Sequence, residues 1–406
     1  MKELLQLATR NVLRQRGRSW MTLLAIAFGV VALILAGGFI KDTVDELGES
    51  MIRSQSGHLQ VNRVGYREQG SRDPSAYLIE EPEALRQALA SIPDVEEVLL
   101  RSVFSGLLNN GRTDWAIIGE GVEPDAETRL GTYINVSAGR QLTDADPFGM
   151  MLGAGVAQAL DLQPGDWVDV LTNTTDGAVN VLEFQVVGIF QTFSKDYDAR
   201  AVRIPLAAAQ ALLGDAGVHL AVLRLSRTEA TAATKQVAEA ALAEQGFEVL
   251  DWQRLNPFYE QTVALYRQQF GFLVLVILLM VSLSVGNTIN MSVYERAAEF
   301  GTMQACGAPR REIARLILLE SALLGLAGAT LGVVAGNGLA LLISWIGIPM
   351  PPPPNSDIAY IALIRLAWWI TGVSFLIGLL APVVAALRPA RRAARADIAE
   401  SLRQAV

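Results

Sequence analysis

The residues with the strongest chemical character lie in one segment, "YERAAEFGTMQACGAPRREIARLILLES" (294–321), between two long apolar stretches. Glu295 and Glu299 are four residues apart, so on a helix they share one face. Arg310 and Arg311 follow a proline, which suits the start of a helix. The pattern predicts one or two short helices broken at Gly-Ala-Pro-Arg, with a chemistry of ion pairing to a protein partner. A basic hairpin loop would explain the arginines but not the acids or the break.

Residue types used in catalysis or metal binding form no recognisable motif. None of the four lysines follows a glycine, so the phosphate-binding motif GxxxxGK[ST] is absent. His58 and His219 lack metal-ligand spacing, and we interpret them as structural or surface residues. We interpret Cys306 as a small apolar filler, and no G-x-S-x-G motif occurs. The sequence predicts a non-catalytic chain with no metal site and no cofactor of its own.

The chain also contains four long apolar segments. The chain has 406 residues, 51% of them hydrophobic, and a mean hydropathy of +0.32. Windows of about 20 apolar residues, enough to cross roughly 30 Å of hydrocarbon, occur at Trp20–Ile40, Phe270–Ile289, Leu316–Ile348 and Leu366–Leu387. We predict a membrane protein with four transmembrane α-helices and a large α+β extracytoplasmic domain inserted between the first and second.

The expected boundaries follow from these windows. A cytoplasmic amphipathic helix (1–18) precedes the first span (19–41), the periplasmic α+β domain (42–265), the second span (266–290), a cytoplasmic coupling loop (291–315), the third span (316–348), a periplasmic Pro-rich loop (349–365), the fourth span (366–388) and a cytoplasmic tail (389–406). A merely basic flank explains the first segment as well as an amphipathic helix does. The first apolar run is too long for a typical signal peptide, so we interpret it as an anchor.

The distribution of charge sets the expected orientation. Arginines concentrate in residues 1–18, in the 291–315 loop and in the tail, which places these segments and both termini in the cytoplasm. Residues 42–265 then lie outside. They hold 16 Lys and Arg against 33 Asp and Glu, a net charge of −17. Such an acidic domain excludes nucleic acid as a partner.

The extracytoplasmic segment shows alternating strand and helix patterns. Predicted strands are 57–62, 115–122, 166–172, 183–190 and 221–226, and predicted helices are 81–90, 207–213 and 229–244. Residues 145–215 have their own strand, turn and helix set, which indicates a second subdomain. The first and second spans could project beyond the bilayer as helical stalks, or separate short helices could flank them.

Small residues recur in the third span. Gly325, Gly328, Gly332 and Gly336 lie in this segment, and the last three form overlapping GxxxG motifs. Such spacing lets helix backbones approach closely in lipid, although glycine is also common in membrane helices generally. We predict a helix-packing face.

The segment "NTINMSVYERAAEFGTMQACGAPRREIARLILLESALLGLAGATLG" resembles the signature of the FtsX-like/MacB-like permeases of ABC transporters. Phe300 and Gln304 depart from the family pattern. The N-terminal "LATRNVLRQRGRSWMTLLAIAFGV", the ectodomain stretch "VVGIFQTFSKDYDARAVRIPLAAAQALL" and the "PMPPPP" loop are similar to the lipoprotein-releasing (Lol-type) branch. Together these stretches and the four-span layout cover nearly the whole chain.

The resemblance implies a multi-pass permease of the bacterial inner membrane that works with a separate cytoplasmic ABC ATPase, which would bind ATP and Mg. It also implies a second permease, either the same chain or a paralogue, with membrane lipid and a periplasmic carrier or adaptor as further partners. The expected ATPase-coupling residues are Glu295, Arg296, Glu299, Gly301, Gly307, Arg310, Arg311 and Glu320. Lipoprotein extraction, efflux of small molecules or peptides with an adaptor, and signalling to a cell-wall hydrolase remain open.

Overall fold

The computed structural model describes residues 2–14, 16–70, 74–131, 134–192, 194–243, 245–350 and 360–395. Two compact units emerge. Residues 1–44, 262–349 and 361–406 form a helical unit, and residues 45–261 with 350–360 form a unit built on β-sheet. The predicted run of prolines at 351–354 and residues 396–406 of the predicted tail lie outside the described residues.

Helices occur in both units. Their bounds are α1 Lys2–Arg14, α2 Arg16–Met51, α3 Tyr66–Gln69, α4 Pro82–Ala90, α5 Pro124–Leu130, α6 Ala154–Leu160, α7 Lys195–Asp198, α8 Leu206–Leu213, α9 Thr231–Leu242, α10 Trp252–Leu255, α11 Pro257–Glu295, α12 Ala297–Ala305, α13 Arg310–Ile346 and α14 Trp368–Ala394. A π-helical turn, Ile52–Ser56, continues directly from α2.

The strands are mostly short. Their bounds are β1 Leu59–Arg63, β2 Val95–Asn109, β3 Asp114–Val122, β4 Asn135–Gly139, β5 Gly149–Gly153, β6 Trp167–Asn173, β7 Val179–Gln191, β8 Ala201–Pro205, β9 Leu220–Leu225, β10 Phe247–Asp251, β11 Ile348–Met350 and β12 Tyr360–Ala362. The five predicted strands each overlap an observed strand.

In the helical unit, α2, α11, α13 and α14 are long and apolar enough to cross a membrane. Their shared core is lined by buried aliphatic residues at helical spacing, such as Ile26, Val30 and Ile34 on α2 and Val281, Val285 and Ile289 on α11. The N-terminal helix α1 packs against α13 and buries Ala8 completely. Its amphipathic pattern therefore has a protein-facing side as well as an exposed one.

The helices extend beyond the apolar windows from which the spans were predicted. The first runs past residue 41 to Met51, since "KDTVDELGESM" contains no proline. The second spans Pro257–Glu295 instead of 266–290, and its N-terminal proline suits a helix start. The fourth begins at Trp368, two residues later than predicted, and continues through Pro389 into the predicted tail, where Pro389, Ala390 and Ala393 pack into the core.

The two segments that connect α11 to α13 and α13 to α14 also contain regular structure. The 291–315 segment is helical except for Arg296 and residues 306–309, in agreement with the short helices and the break predicted there. Helix α13 begins at Arg310, before the predicted third span. At the other end of α13, β11 and β12 pair across the ends of the 349–365 loop, so backbone groups there find partners.

The second unit contains two β-structures that share strand β2. The first sheet has the antiparallel order β10-β1-β9-β2, with α4 and α9 packed on it. With its β1–α4–β2 and β9–α9–β10 connections, this arrangement matches a ferredoxin-like fold.

The second β-structure is a closed ring of paired strands. Its order is β2-β3-β8-β5-β7-β6, and β6 returns to pair with β2. Strand β4 pairs with the C-terminal residues of β7, 188–191. We call this ring the barrel. Its interior contains Phe104, Phe184 and other apolar side chains, and helices α6 and α8 contribute to the same core. The predicted second subdomain (145–215) is therefore larger, because its pairing partners include β2 and β3.

Aromatic packing connects the two chain segments that enter and leave this unit. The Trp252 ring lies so close to Gly48 that a methyl group there would be 2.8 Å from it. The same ring meets Tyr259, near the start of α11, edge-on at 4.6 Å between centroids. The ends of α2 and α11 in this unit are thus held around one indole.

Candidate functional site

Arg296 lies at the only non-helical position between α11 and α12 and is 9% exposed. Its Nη1 donates to both carboxylate oxygens of Glu320 at 3.0 Å, and its Nε donates to Glu299 at 2.9 Å. The guanidinium also stacks 5.0 Å from the centroid of the Phe300 ring. Since a buried charge requires partners, this arrangement fixes the α11–α12 corner to α13.

Glu320 connects this corner to the N-terminal helix as well. Asn11 on α1 donates from Nδ2 to Glu320 Oε1 at 2.6 Å. A carboxylate this far along an apolar helix is costly in a membrane unless it is paired. The paired arrangement of Glu320, Arg296 and Asn11 meets that requirement within the chain.

Two further ion pairs surround the buried group. Arg18 makes a bidentate contact with Glu295, 2.6 Å for each bond, and Arg14 lies 3.5 Å from Glu299. These side chains are more exposed; for example, 79% of the Arg14 side chain is accessible. Exposed pairs contribute little to stability, because water screens the attraction. We refer to Asn11, Arg14, Arg18, Glu295, Arg296, Glu299 and Glu320 as the charged cluster.

A small cavity of about 50 Å³ lies inside the charged cluster. Its lining includes Asn11, Arg18, Ser292, Arg296 and Glu320. The volume accommodates a few water molecules, and the polar walls can satisfy their hydrogen bonds. The cavity has no room for a larger ligand, so the chemistry of this region is ion pairing and hydration.

The two predicted loop glycines occupy different environments. Gly301 is buried within α12. Gly307 ends the turn after α12 with φ +97°, a conformation that side chains rarely adopt, and its amide donates to Gln304 O at 3.0 Å. Gly307 therefore permits the reversal that leads into α13.

Arg310 and Arg311 lie in the first turn of α13, outside the charged cluster. Both are exposed, and within the described ranges neither forms an ion pair. The N-terminus of a helix carries a partial positive charge, so two arginines there reduce its stability slightly. The structure thus separates them from Glu295, Arg296, Glu299 and Glu320, which it brings together.

The glycines of the third span face α2 and α14. A methyl group added at Gly328 would lie 2.9 Å from Ile26, at Gly332 2.7 Å from Val30, and at Gly336 3.0 Å from Ile34. At Gly325 it would lie 2.8 Å from the carbonyl oxygen of Leu379 on α14. The side chains of α2 thus fill the groove that the glycines leave.

Asn11, Arg14 and Arg18 belong to the cluster but were not predicted. A signal was present in the sequence, because Arg14 and Arg18 have the same four-residue spacing as Glu299 and Glu295 and match them in antiparallel order. Asn11 has no such signal, since its pairing with Glu320 depends on how α1 lies against α13.

Comparison with known proteins agrees with this architecture. A family model described as MacB-like periplasmic core domain matches residues 19–241, more than half of the chain, and one described as FtsX-like permease C-terminal matches residues 271–398. The chain belongs to the FtsX-like/MacB-like permease family. The resemblance drawn from the 287–332 signature is therefore confirmed.

Relatives of this permease cover it almost completely. An uncharacterised ABC transporter permease of Methanocaldococcus jannaschii is 22% identical over 99% of this chain and 98% of its own length. The lipoprotein-releasing system transmembrane protein LolC of Neisseria meningitidis is 25% identical over 93% of this chain and 92% of its own. The macrolide export ATP-binding/permease protein MacB of Azoarcus sp. is 27% identical over 96% of this chain but only 58% of its own length. The permease is thus a membrane protein of the ABC transporter class.

Proposed function

We propose that this permease is the membrane subunit of an ABC transporter whose ATP hydrolysis occurs on a separate cytoplasmic ATPase, with ATP and Mg bound there. The observation that carries the proposal is the exposed α12–α13 turn with Arg310 and Arg311. These arginines have no ion-pair partner in the described part of the chain. They lie in the first turn of α13, where positive charge lowers the stability of the helix. A partner surface with carboxylates would supply the missing counter-charge.

In this proposal the charged cluster transmits the partner's movement. A force on the α12–α13 turn reaches Arg296, which is bonded to Glu299 and Glu320, and Glu320 is bonded in turn to α1 through Asn11. Helices α1, α12 and α13 then move together with the turn between α12 and α13. The acidic domain lies outside the inner membrane, both termini lie in the cytoplasm, and a second permease completes the transporter.

For the substrate, we propose a lipoprotein or another amphiphile. LolC of Neisseria meningitidis matches over nearly its full length, whereas 58% of the MacB of Azoarcus sp. is matched. The match in length therefore favours a lipoprotein-releasing system over macrolide-type efflux. Efflux with an adaptor and signalling to a cell-wall hydrolase are the outcomes that the experiment distinguishes from it.

The test is affinity purification of the full-length permease from native membranes in mild detergent, followed by mass spectrometry. Wild type is compared with Arg310→Glu plus Arg311→Glu. The matched control is Arg391→Glu plus Arg392→Glu, which reverses two exposed arginines near the end of α14. We expect an ABC ATPase with wild type and control, and its loss, by roughly tenfold or more, with the loop variant, because contact charge pairs are worth several kcal/mol when desolvated.

Co-purified molecules decide the finer assignment. Lipoproteins or a lipoprotein carrier support the proposal, a membrane-fusion adaptor supports efflux, and a cell-wall hydrolase supports signalling. Equal retention of the ATPase by both variants would contradict the role of Arg310 and Arg311. Absence of any ATPase with wild type, under conditions that preserve a known ABC transporter, would contradict the transporter itself.

A further inference from the structure

The end of α2 in the sheet-containing unit is an unusual helix terminus. After Met51 the helix widens into the π-helical turn Ile52–Ser56, and Gly57 then reverses the chain into β1 with φ +62°. Helix-terminal carbonyl oxygens have no partner inside the helix and must find one elsewhere. Two of these carbonyl oxygens, those of Ser54 and Gln55, accept hydrogen bonds from side chains outside the helix.

Two buried arginines supply these partners: Arg101 on the part of β2 that pairs with β9 in the first sheet, and Arg203 on β8 of the barrel. Arg101 on β2 donates from Nη1 to the carbonyl of Gln55 at 2.5 Å, and Arg203 on β8 donates from Nη2 to the carbonyl of Ser54 at 2.9 Å. Arg101 is 2% exposed and Arg203 is 3% exposed. The negative end of a helix dipole favours cations, so the placement is electrostatically matched.

Both arginines are neutralised by carboxylates of the same unit. Arg101 forms a two-bond ion pair with Glu127 on α5, and Arg203 Nε lies 3.2 Å from Glu120 on β3. Cross-contacts join the pairs, since Arg203 Nη1 is 3.6 Å from Glu127 and Arg101 Nη1 is 3.9 Å from Glu120. We refer to Arg101, Arg203, Glu120 and Glu127 as the arginine clamp.

Electrostatics keep this group charged. Burial alone would raise the pKa of Glu120, but Arg203 and Arg101 beside it hold that pKa below its ordinary value. A buried ion pair is a weak source of stability, because apolar residues of the same size are often equally good or better. The ion pairs here orient the two guanidinium groups, since each guanidinium donates to a carboxylate on one side and to a carbonyl oxygen of the helix on the other.

We propose that Arg101 and Arg203 are positioning residues that fix the end of α2 to the barrel and to the adjoining first-sheet part of β2, so that the barrel follows any displacement of α2. The inference rests on the proposed function for the source of that displacement. The fixation itself is a property of the sheet-containing unit. It predicts that neutralising the clamp uncouples the barrel from α2 while both remain folded.

The variants remove the clamp without leaving buried charges unpaired. They are Arg203→Met with Glu120→Gln, and Arg101→Met with Glu127→Gln. Arg203→Lys serves as a conservative variant that keeps the charge and one donor direction. Arg140→Met is the matched control, because it breaks the exposed Arg140–Asp146 pair elsewhere in the unit. All are made in full-length chain with Cys306→Ser, which removes the only native thiol.

Spin labels then measure the coupling in nanodiscs containing the permease and its co-purified ATPase. One label pair, Glu46→Cys with Asp169→Cys, reports the distance between α2 and the barrel. A second pair, Asp169→Cys with Arg391→Cys, reports barrel movement relative to the end of α14 when ATP and vanadate are added. Thermal unfolding and ATP hydrolysis are measured on the same samples.

We expect a narrow first distance in wild type, Arg140→Met and Arg203→Lys, and a distribution roughly twofold broader in the double variants, as local restraint is lost. The second distance should change with ATP and vanadate in wild type and change much less in the double variants, although ATP hydrolysis persists. A purely structural role would lower the unfolding temperature without broadening the first distance, which would overturn the clamp, as would wild-type behaviour in the double variants. If the second distance is constant in wild type, the proposed transport cycle fails, and the first distance still decides the clamp.

Discussion

Nη1 of Arg296 lies 3.0 Å from both carboxylate oxygens of Glu320, 24 residues further along the chain. The side chains are 10% and 14% exposed, so water contributes little to their solvation. Removing one partner of such a pair leaves the other charge buried. A single substitution and a double substitution at this pair should therefore differ in their effect on the free energy of unfolding.

We expect Arg296→Met to lower the free energy of unfolding by about 3 kcal/mol, because Glu320 then keeps only Asn11 as a partner. Arg296→Met combined with Glu320→Gln should recover most of this loss. Equilibrium unfolding of the full-length chain in mixed micelles measures both. If the double variant is as unstable as the single one, the pair is not what stabilises this corner.

Helix packing in the third span predicts a contrast between two glycines of α13. Gly332→Ala should cost about 1–3 kcal/mol, because its methyl group would meet Val30 Cβ at 2.7 Å and Ala27 O at 2.9 Å. Gly338→Ala should be neutral or stabilising, since no atom lies within 4 Å of its added carbon and alanine favours helix. The same unfolding measurement applies, and equal effects would exclude close packing as the cause.

The turn after the π-helical segment predicts an ordering of two positive-φ glycines. Gly111→Ala should cost roughly 1 kcal/mol, because φ is +82° but the surroundings are open. Gly57→Ala should cost clearly more, since φ is +62° and the methyl group would lie 2.3 Å from Val222. Thermal unfolding of the two variants gives the comparison. If the Gly57 variant were as stable as the Gly111 variant, Val222 on β9 would have to move aside at little cost in free energy.

Two buried histidines predict a dependence of stability on pH. Burial lowers the pKa of His58 and of His219 from 6.5 to about 4. The unfolded chain therefore binds more protons between pH 6.5 and 4, so stability is complete above pH 6.5 and falls as the pH drops through this range. The loss is on the order of 3 kcal/mol for each histidine by pH 4.

The measurement is the unfolding temperature of the full-length chain from pH 7.5 to 4. His58→Asn with His219→Asn is the matched variant, because an amide oxygen can replace the Nδ1 atoms that accept from Leu225 N and Val103 N. Its profile should be flatter over this interval than that of wild type. Parallel profiles would mean that other groups cause the acid sensitivity.

The sequence predicts best where one local pattern decides the structure. Apolar length locates the four long helices, and alternation locates strands such as β6, whose buried and exposed residues alternate along its whole length. It misses β2, because "VEEVLLRSVFSGLLN" has two acids near its start and no regular alternation. It also misplaces helix ends, since packing at residues such as Pro389 overrides the local signal.

The candidate sites divide in the same way. Glu295 and Glu299 are visible from their spacing, and Arg296 stands between them. Arg101 and Arg203 are not visible, because each is a lone arginine in an apolar strand and its partners lie 26 and 83 residues away. The Arg203–Glu120 pair depends on the β3–β8 register, and the Arg101–Glu127 pair depends on how α5 packs against β2. A single sequence displays neither.

The chain enters the sheet-containing unit through β1 and leaves it through β10, and these strands are antiparallel neighbours with Leu59 opposite Asp251. Directly opposed residues in such a pair lie only about 5 Å apart. A module whose two ends are adjacent can be exchanged in evolution for another of quite different size without altering the spacing of the helices that carry it. The sheet-containing unit of such a permease can therefore be replaced or resized without a change in the chain path of the helical unit.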